Sequence, residues 1–127
     1  MKVLDASVLI ASFDPDDAHH ANAEARLTQD LEATWGINTL ILAEVLAGPA
    51  GVGRDREVLD AIGDLGIVEV PFPADAALQL ARLRAATELT MPDCCVLLAA
   101  GEVSGQVLTI DDRLGRVAQA QGLGDLL

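Results

Sequence analysis

The sequence predicts an α/β protein, a three-layer α/β/α domain around a central, mainly parallel sheet of roughly four to five short strands. Two observations carry this prediction. Short apolar runs alternate with longer segments of helical spacing along the whole chain, and acidic residues stand directly after the runs, where open α/β sheets place their ligands. With 127 residues, of which 51% are apolar, the chain has the size and the material for one core, so residues 1–127 are read as a single domain.

Residues 2–4, Lys-Val-Leu, read as a strand running into Asp5, and 6–13 as a helix ended ahead of Pro15. The segment 16–31 has helical spacing, with Ala18, Ala21, Ala25 and Leu27 to one side. A second strand follows at 35–37, with Asn38 or Thr39 placed to cap the next helix through a side-chain oxygen. Gly48 and Pro49 are expected to stop that helix. Beyond a glycine-rich turn, 54–65 reads as helix and 67–70 as a strand closed by Pro71. A longer helix is expected over 73–89, with proline at its start, where the missing N–H costs nothing. Pro92 opens another helix through 103, residues 106–109 form a strand, and 112–121 the last helix.

Composition excludes several classes. No stretch approaches the roughly 18 apolar residues of a membrane span, and Asp5 interrupts the segment where a secretory signal would stay apolar. A soluble cytoplasmic protein without membrane contact is the expectation. Cys94 and Cys95 are chain neighbours, poorly placed to bridge each other, and read as small core residues. The net charge of -12 argues against a simple nucleic-acid-binding module, which would carry a basic face. It leaves room for a nuclease, because acidic clusters bind divalent cations and the cations meet the phosphate. It would also attract a basic partner protein.

Four acids stand out. Asp5 and Asp111 follow strands, and each also suits a helix N-terminus, where a carboxylate meets free N–H groups and the positive end of the dipole. Asp93 follows Pro92 in a first turn and has the same two explanations. Glu44 sits in the apolar helix Leu40-Ile41-Leu42-Ala43-Glu44-Val45-Leu46-Ala47, with no cation at the neighbouring helical positions. Buried there, it would need a partner from elsewhere, either a metal ion or an arginine such as Arg82 or Arg84. Several carboxylates at one crevice repel one another unless a cation holds them, and hard Mg²⁺ or Mn²⁺ favours such oxygen ligands.

Val3-Leu4-Asp5-Ala6-Ser7, Leu42-Ala43-Glu44-Val45, Met91-Pro92-Asp93 and Val107-Leu108-Thr109-Ile110-Asp111-Asp112-Arg113-Leu114, in this order and spacing, resemble the PIN-domain nucleases. Within that family they are similar to the small VapC-type toxins of bacterial toxin–antitoxin pairs. The resemblance spans essentially the whole chain. It implies a metal-dependent endoribonuclease in which Asp5, Glu44, Asp93 and Asp111 are catalytic and hold Mg²⁺, with Mn²⁺ a possible substitute. Asp5 and Asp93 match the principal ligands, Glu44 the helical acid, and Ser7 and Thr109 hydroxyls that position water or carboxylates. Asp112 competes with Asp111 as the fourth acid, and Thr109 with Asp112 also fits a capping box. The resemblance further implies an RNA substrate, a cognate antitoxin and a homodimer.

Other features carry less. Gly48-Pro49-Ala50-Gly51-Val52-Gly53-Arg54-Asp55 nearly spells a phosphate loop, but Arg54 replaces the lysine, Asp55 the hydroxyl, and the loop follows a helix instead of a strand. His19 and His20 point about 100° apart on a helix and suit surface or packing roles. Arg82, Arg84, Arg113 and Arg116 are candidates for phosphate contacts or simply solvated helix faces. With no tyrosine and only Phe13, Phe72 and Trp35, base stacking is a poor basis for recognition. Two other readings compete: a doubly wound phosphatase or phospho-acceptor domain, which lacks a second acid beside Asp5, and a non-catalytic acidic binding module.

Overall fold

The computed structural model describes residues 1–29 and 32–127. The strands are β1 (Lys2–Leu4), β2 (Trp35–Asn38), β3 (Ile67–Val70), β4 (Gln106–Thr109) and β5 (Gly124–Leu126). The helices are α1 (Ala6–Phe13), α2 (His20–Gln29), α3 (Thr39–Ala50), α4 (Asp55–Asp64), α5 (Ala76–Thr87), α6 (Met91–Glu102) and α7 (Asp112–Ala120). The described residues form one parallel sheet in the order β3-β2-β1-β4-β5.

The chain winds outward from β1 through β2 to β3, then crosses back to β4 and β5. Because crossovers between parallel strands are right-handed, the reversal puts α1 to α4 and α5 to α7 on opposite faces of the sheet. The expected three layers follow. The reversal also makes the carboxyl ends of β1 and β4 the place where the outgoing and returning connections part, the usual ligand crevice of such sheets.

The core explains why the strands are so short and so apolar. Val3, Leu4, Ile37, Val107 and Leu108 are buried from both faces. Helix α6 is buried along Cys94 to Ala100 and packs against β1, β2 and β4, so both cysteines are core residues, as expected.

Four expected boundaries shift, each for a local reason. Helix α2 begins at His20 instead of residue 16, because the Asp14 carboxylate accepts from the Asp16 N–H at 3.0 Å and that of Asp17 from the His19 N–H at 2.8 Å. These side-chain turns compete with helix. The expected end of that helix, at 31, lies outside the described residues. Helix α3 runs past Gly48 and Pro49 to Ala50, since Pro49 stands in the last turn and its carbonyl accepts from the Arg54 N–H at 2.8 Å. Helix α5 starts at Ala76, after a turn closed by Ala76 N–H on the Pro73 carbonyl, and ends at Thr87, with Glu88 as its C-cap at φ 59.

Strand β5 was not anticipated, because Gly124 and Asp125 are poor strand formers. It forms because the chain turns back beside β4. A Cβ at Gly124 would stand 2.7 Å from the Gln119 backbone nitrogen, so only glycine lets β5 lie this close to α7.

Candidate active site

Asp5 is the centre of the arrangement. It leaves β1 at the carboxyl end of the sheet, its N–H donating to the Leu108 carbonyl of β4 at 3.1 Å, and the residue is 8% exposed. One carboxylate oxygen, Oδ2, accepts two hydroxyl protons, from Ser7 at 2.7 Å and from Thr109 at 2.8 Å. Asp5 is the backbone N-cap of α1, yet its side chain makes no capping bond. The carboxylate is instead held by two side-chain hydroxyls, Ser7 of α1 and Thr109 of β4.

A second layer of hydrogen bonds ties the two strand ends together. The Thr109 hydroxyl accepts from the Asp111 N–H at 2.9 Å, and the Ser7 hydroxyl from the Ile110 N–H at 3.4 Å. Each hydroxyl gives its proton to Asp5 and receives one from the β4–α7 connection. Thr109 is fully buried, so this polar group has its donor and acceptor capacity used inside the protein.

Asp93 lies in the first turn of α6, whose N-cap is Thr90; the Thr90 hydroxyl accepts from the Asp93 N–H at 3.4 Å. Burial lifts the Asp93 carboxyl above the ordinary carboxylate range, hydrogen bonds from Thr90 oppose this, and the charges of Asp5 and Asp111 push it further up. The three acids, distant in sequence, therefore share one electrostatic neighbourhood.

Asp111 does what its position as a cap suggests: its Oδ1 accepts from the Leu114 N–H at 2.9 Å at the start of α7. The expected capping box of Thr109 with Asp112 does not form, because Asp111 is the N-cap. Asp112 is an exposed first-turn acid, and it is Asp111 whose charge reaches Asp93.

Glu44 requires a correction. The apolar helix was expected to bury it, but α3 buries Ile41, Leu42 and Val45 and leaves Ala43, Glu44, Ala47 and Gly48 exposed. Small residues on this side leave the carboxylate in water, so it needs no partner for burial, and among the described residues it pairs with neither Arg82 nor Arg84. Its helix packs against α6, and its charge adds to the upward push that burial exerts on the Cys95 thiol. Glu44 thus faces the helix that carries Asp93.

Arg82, Arg84, Arg113 and Arg116 are exposed, the first two on α5 and the others on α7. Arg84 lies close enough to Cys94 of α6 for its charge to act there. In the glycine-rich turn Arg54 pairs with Glu57 at 3.0 Å. His20 packs helices together, its Nδ1 on the Ala11 carbonyl at 2.8 Å and its Nε2 3.3 Å from Glu24.

Among the described residues no three His, Cys, Asp or Glu side chains converge closely enough to hold an ion between them. The donor set nevertheless suits a hard divalent cation. It is made of carboxylate oxygens alone, Asp5 has Oδ1 without a hydroxyl donor, and the mutual repulsion at Asp93 is what a cation relieves. Mg²⁺ usually keeps several waters and takes only one or two carboxylates directly.

One buried polar residue was read only as a cap. Asn38, at the end of β2, is 1% exposed and ranks with Asp5 and Thr109 as a buried polar side chain. Its only sequence signal is a carboxamide ending an apolar strand.

Comparison with solved structures finds chains of similar fold. A toxin–antitoxin complex from Klebsiella pneumoniae matches at 18% identity and TM-score 0.72, covering 87% of each chain. Mycobacterium tuberculosis VapC20, described as a toxin cleaving the sarcin–ricin loop, matches at 17% identity and TM-score 0.73, covering 97% of this chain and 96% of its own. FitAcB from Neisseria gonorrhoeae matches at 20% identity and TM-score 0.71 over 100% and 96% of the two chains. At these identities the likeness is one of fold. No curated protein matches significantly. The sequence itself matches the PIN domain over residues 2–120, and the chain belongs to the PIN domain family.

Proposed function

We propose that this chain is a metal-dependent endoribonuclease, the toxin of a toxin–antitoxin pair, acting as one nuclease domain over residues 1–127. The observation that carries the reading is the shared neighbourhood of Asp5, Asp93 and Asp111 at the carboxyl end of the sheet, with Asp5 pinned by two hydroxyls. Such a cluster is costly to an empty protein and useful to one that binds a cation.

Asp5 and Asp93 hold Mg²⁺ or Mn²⁺, with Glu44 and Asp111 completing the oxygen set directly or through water. When bound, the ion activates water and offsets negative charge on the phosphoryl group. Ser7 and Thr109 keep Asp5 in one orientation, so that little reorganisation accompanies binding. Arg113 and Arg116, with Arg82 and Arg84, contact phosphates of the RNA beyond the scissile bond. Water is the nucleophile, and no covalent enzyme intermediate forms.

The partners follow from the same reading. A surface of net charge -12 attracts a basic antitoxin, which silences the enzyme by covering the acids. The protein works as a homodimer in the cytoplasm. Incubation with total RNA, with Mn²⁺ or with EDTA, tests the activity. Cuts that require the metal support it, and none in either condition refutes it.

A further inference from the structure

The described residues bury three polar side chains, Asp5, Asn38 and Thr109. The sheet register lines them up. Continuing the Val3–Gly36 pairing along β1 and β2 sets Asn38 beside Asp5, and continuing Leu4–Leu108 sets Thr109 on the other side. Three adjacent strands therefore end in three polar residues at one crevice.

Asp5 and Thr109 are accounted for by the hydrogen bonds between them. Asn38 is half accounted for. Its Oδ1 accepts from the Leu40 N–H at 2.9 Å, which also fixes which end of the carboxamide is oxygen, since an N–H needs an acceptor. Its NH₂ group donates to no described residue. Yet every fully buried side-chain nitrogen or oxygen among the described residues has a partner. Nδ2 is therefore not fully buried and keeps part of the 1% of its surface that Asn38 exposes, at the carboxyl end of β2.

We propose that the Asn38 NH₂ group is the donor that holds a phosphoryl oxygen of the nucleic-acid backbone against Asp5. This rests on the phosphodiester reading above. The groups around it supply acceptors: carboxylates accept only, and the Ser7 and Thr109 hydroxyls have given their protons to Asp5. A phosphodiester also brings acceptors, so it needs a donor here. A cation in this position would pair with Asp5 and compete for its charge, whereas a carboxamide donates without doing so. Held in a largely dry place, the donor gains more from a charged acceptor than it would in water.

Asn38→Ser keeps an oxygen to cap α3 and replaces the NH₂ group with a shorter hydroxyl held closer to the backbone; Asn38→Asp keeps the shape and the capping oxygen and, as a carboxylate, has no proton to donate. Affinity for a fluorescent 2′-O-methyl RNA, checked on a gel to be intact after the measurement, is measured in Mg²⁺ by anisotropy, alongside melting temperature and cleavage kinetics. Asn38→Ser is expected to melt within a few degrees of the wild type, to bind roughly tenfold more weakly, and to lose kcat/KM by a similar factor. Asn38→Asp is expected to bind more weakly still, and it replaces the serine variant should that one fail to fold. Wild-type affinity and kcat/KM in a folded variant overturn the proposal. Should the wild type cut no RNA with any metal, the hydrolase reading falls, while the binding comparison still decides the role of Asn38: a tenfold loss supports it and equal affinity refutes it.

Discussion

Thr109 and Asp5 are 104 positions apart, and the Thr109 hydroxyl donates to Asp5 Oδ2 at 2.8 Å. The contact joins the ends of two adjacent strands at the crevice. With Ser7 on the same oxygen, it holds one face of the carboxylate and leaves the other for a ligand.

Thr109→Val removes the hydroxyl while keeping the branched shape. It strips a donor from Asp5 and an acceptor from the Asp111 N–H. A loss of about 1–3 kcal/mol in unfolding free energy is expected in urea, together with a fall in cleavage. Thr109→Ser, which restores the hydroxyl, recovers most of both. A valine variant as stable and active as the wild type contradicts this role.

Asp93→Asn separates activity from stability. In metal-free protein, burial and the charges of Asp5 and Asp111 raise the Asp93 carboxyl, so the folded state binds its proton more tightly than the unfolded state. Stability contributed by this group is therefore present at low pH and lost as pH rises through the folded-state pKa. The asparagine variant avoids that loss. It is expected to melt above the wild type at neutral pH in EDTA, with the gap closing as pH falls through the same range. Melting at or below the wild type at neutral pH refutes the repulsion argument.

Divalent ions are expected to reverse that order. On the proposed reading, Mg²⁺ or Mn²⁺ is expected to bind the folded wild type and to raise its melting temperature with concentration, while Asp93→Asn is expected to respond weakly. Differential scanning fluorimetry across a metal titration reads this directly. Identical responses in the two proteins remove Asp93 from the metal site.

Asp111 and Asp112 differ in what each supports. Asp111→Ala loses the cap on Leu114 and is expected to cost about 1 kcal/mol of stability as well as activity. Asp112→Ala, at an exposed position, is expected to change stability by no more than about 0.5 kcal/mol and to keep cleavage. The reverse pattern of activity would make Asp112 the fourth acid.

The parts of the candidate site legible in the sequence are those set by local order. An acid directly after an apolar run, as at Asp5 and Asp111, lies at the carboxyl end of a strand whatever the rest of the fold does. Asp93 was legible for a similar reason, because Pro92 marks a helix start. Glu44 shows the limit: the composition of α3 looked apolar on every side, but alanine and glycine cover little, and one face stays in water. The spare NH₂ of Asn38 depends on strand register and on what neighbouring hydroxyls have already donated, and neither is written in a local window. Strand β5 likewise comes from its pairing with β4, against weak local propensity.

The central claim is that the acids around Asp5 cut RNA through a bound divalent ion. Mapping of cleavage sites on total cellular RNA, comparing wild type and Asp93→Asn with Mn²⁺ and with EDTA, tests it most directly. Discrete cuts are predicted for the wild type with Mn²⁺ and none in the other three reactions. Cuts that persist in the asparagine variant or in EDTA, or the absence of cuts throughout, would contradict it.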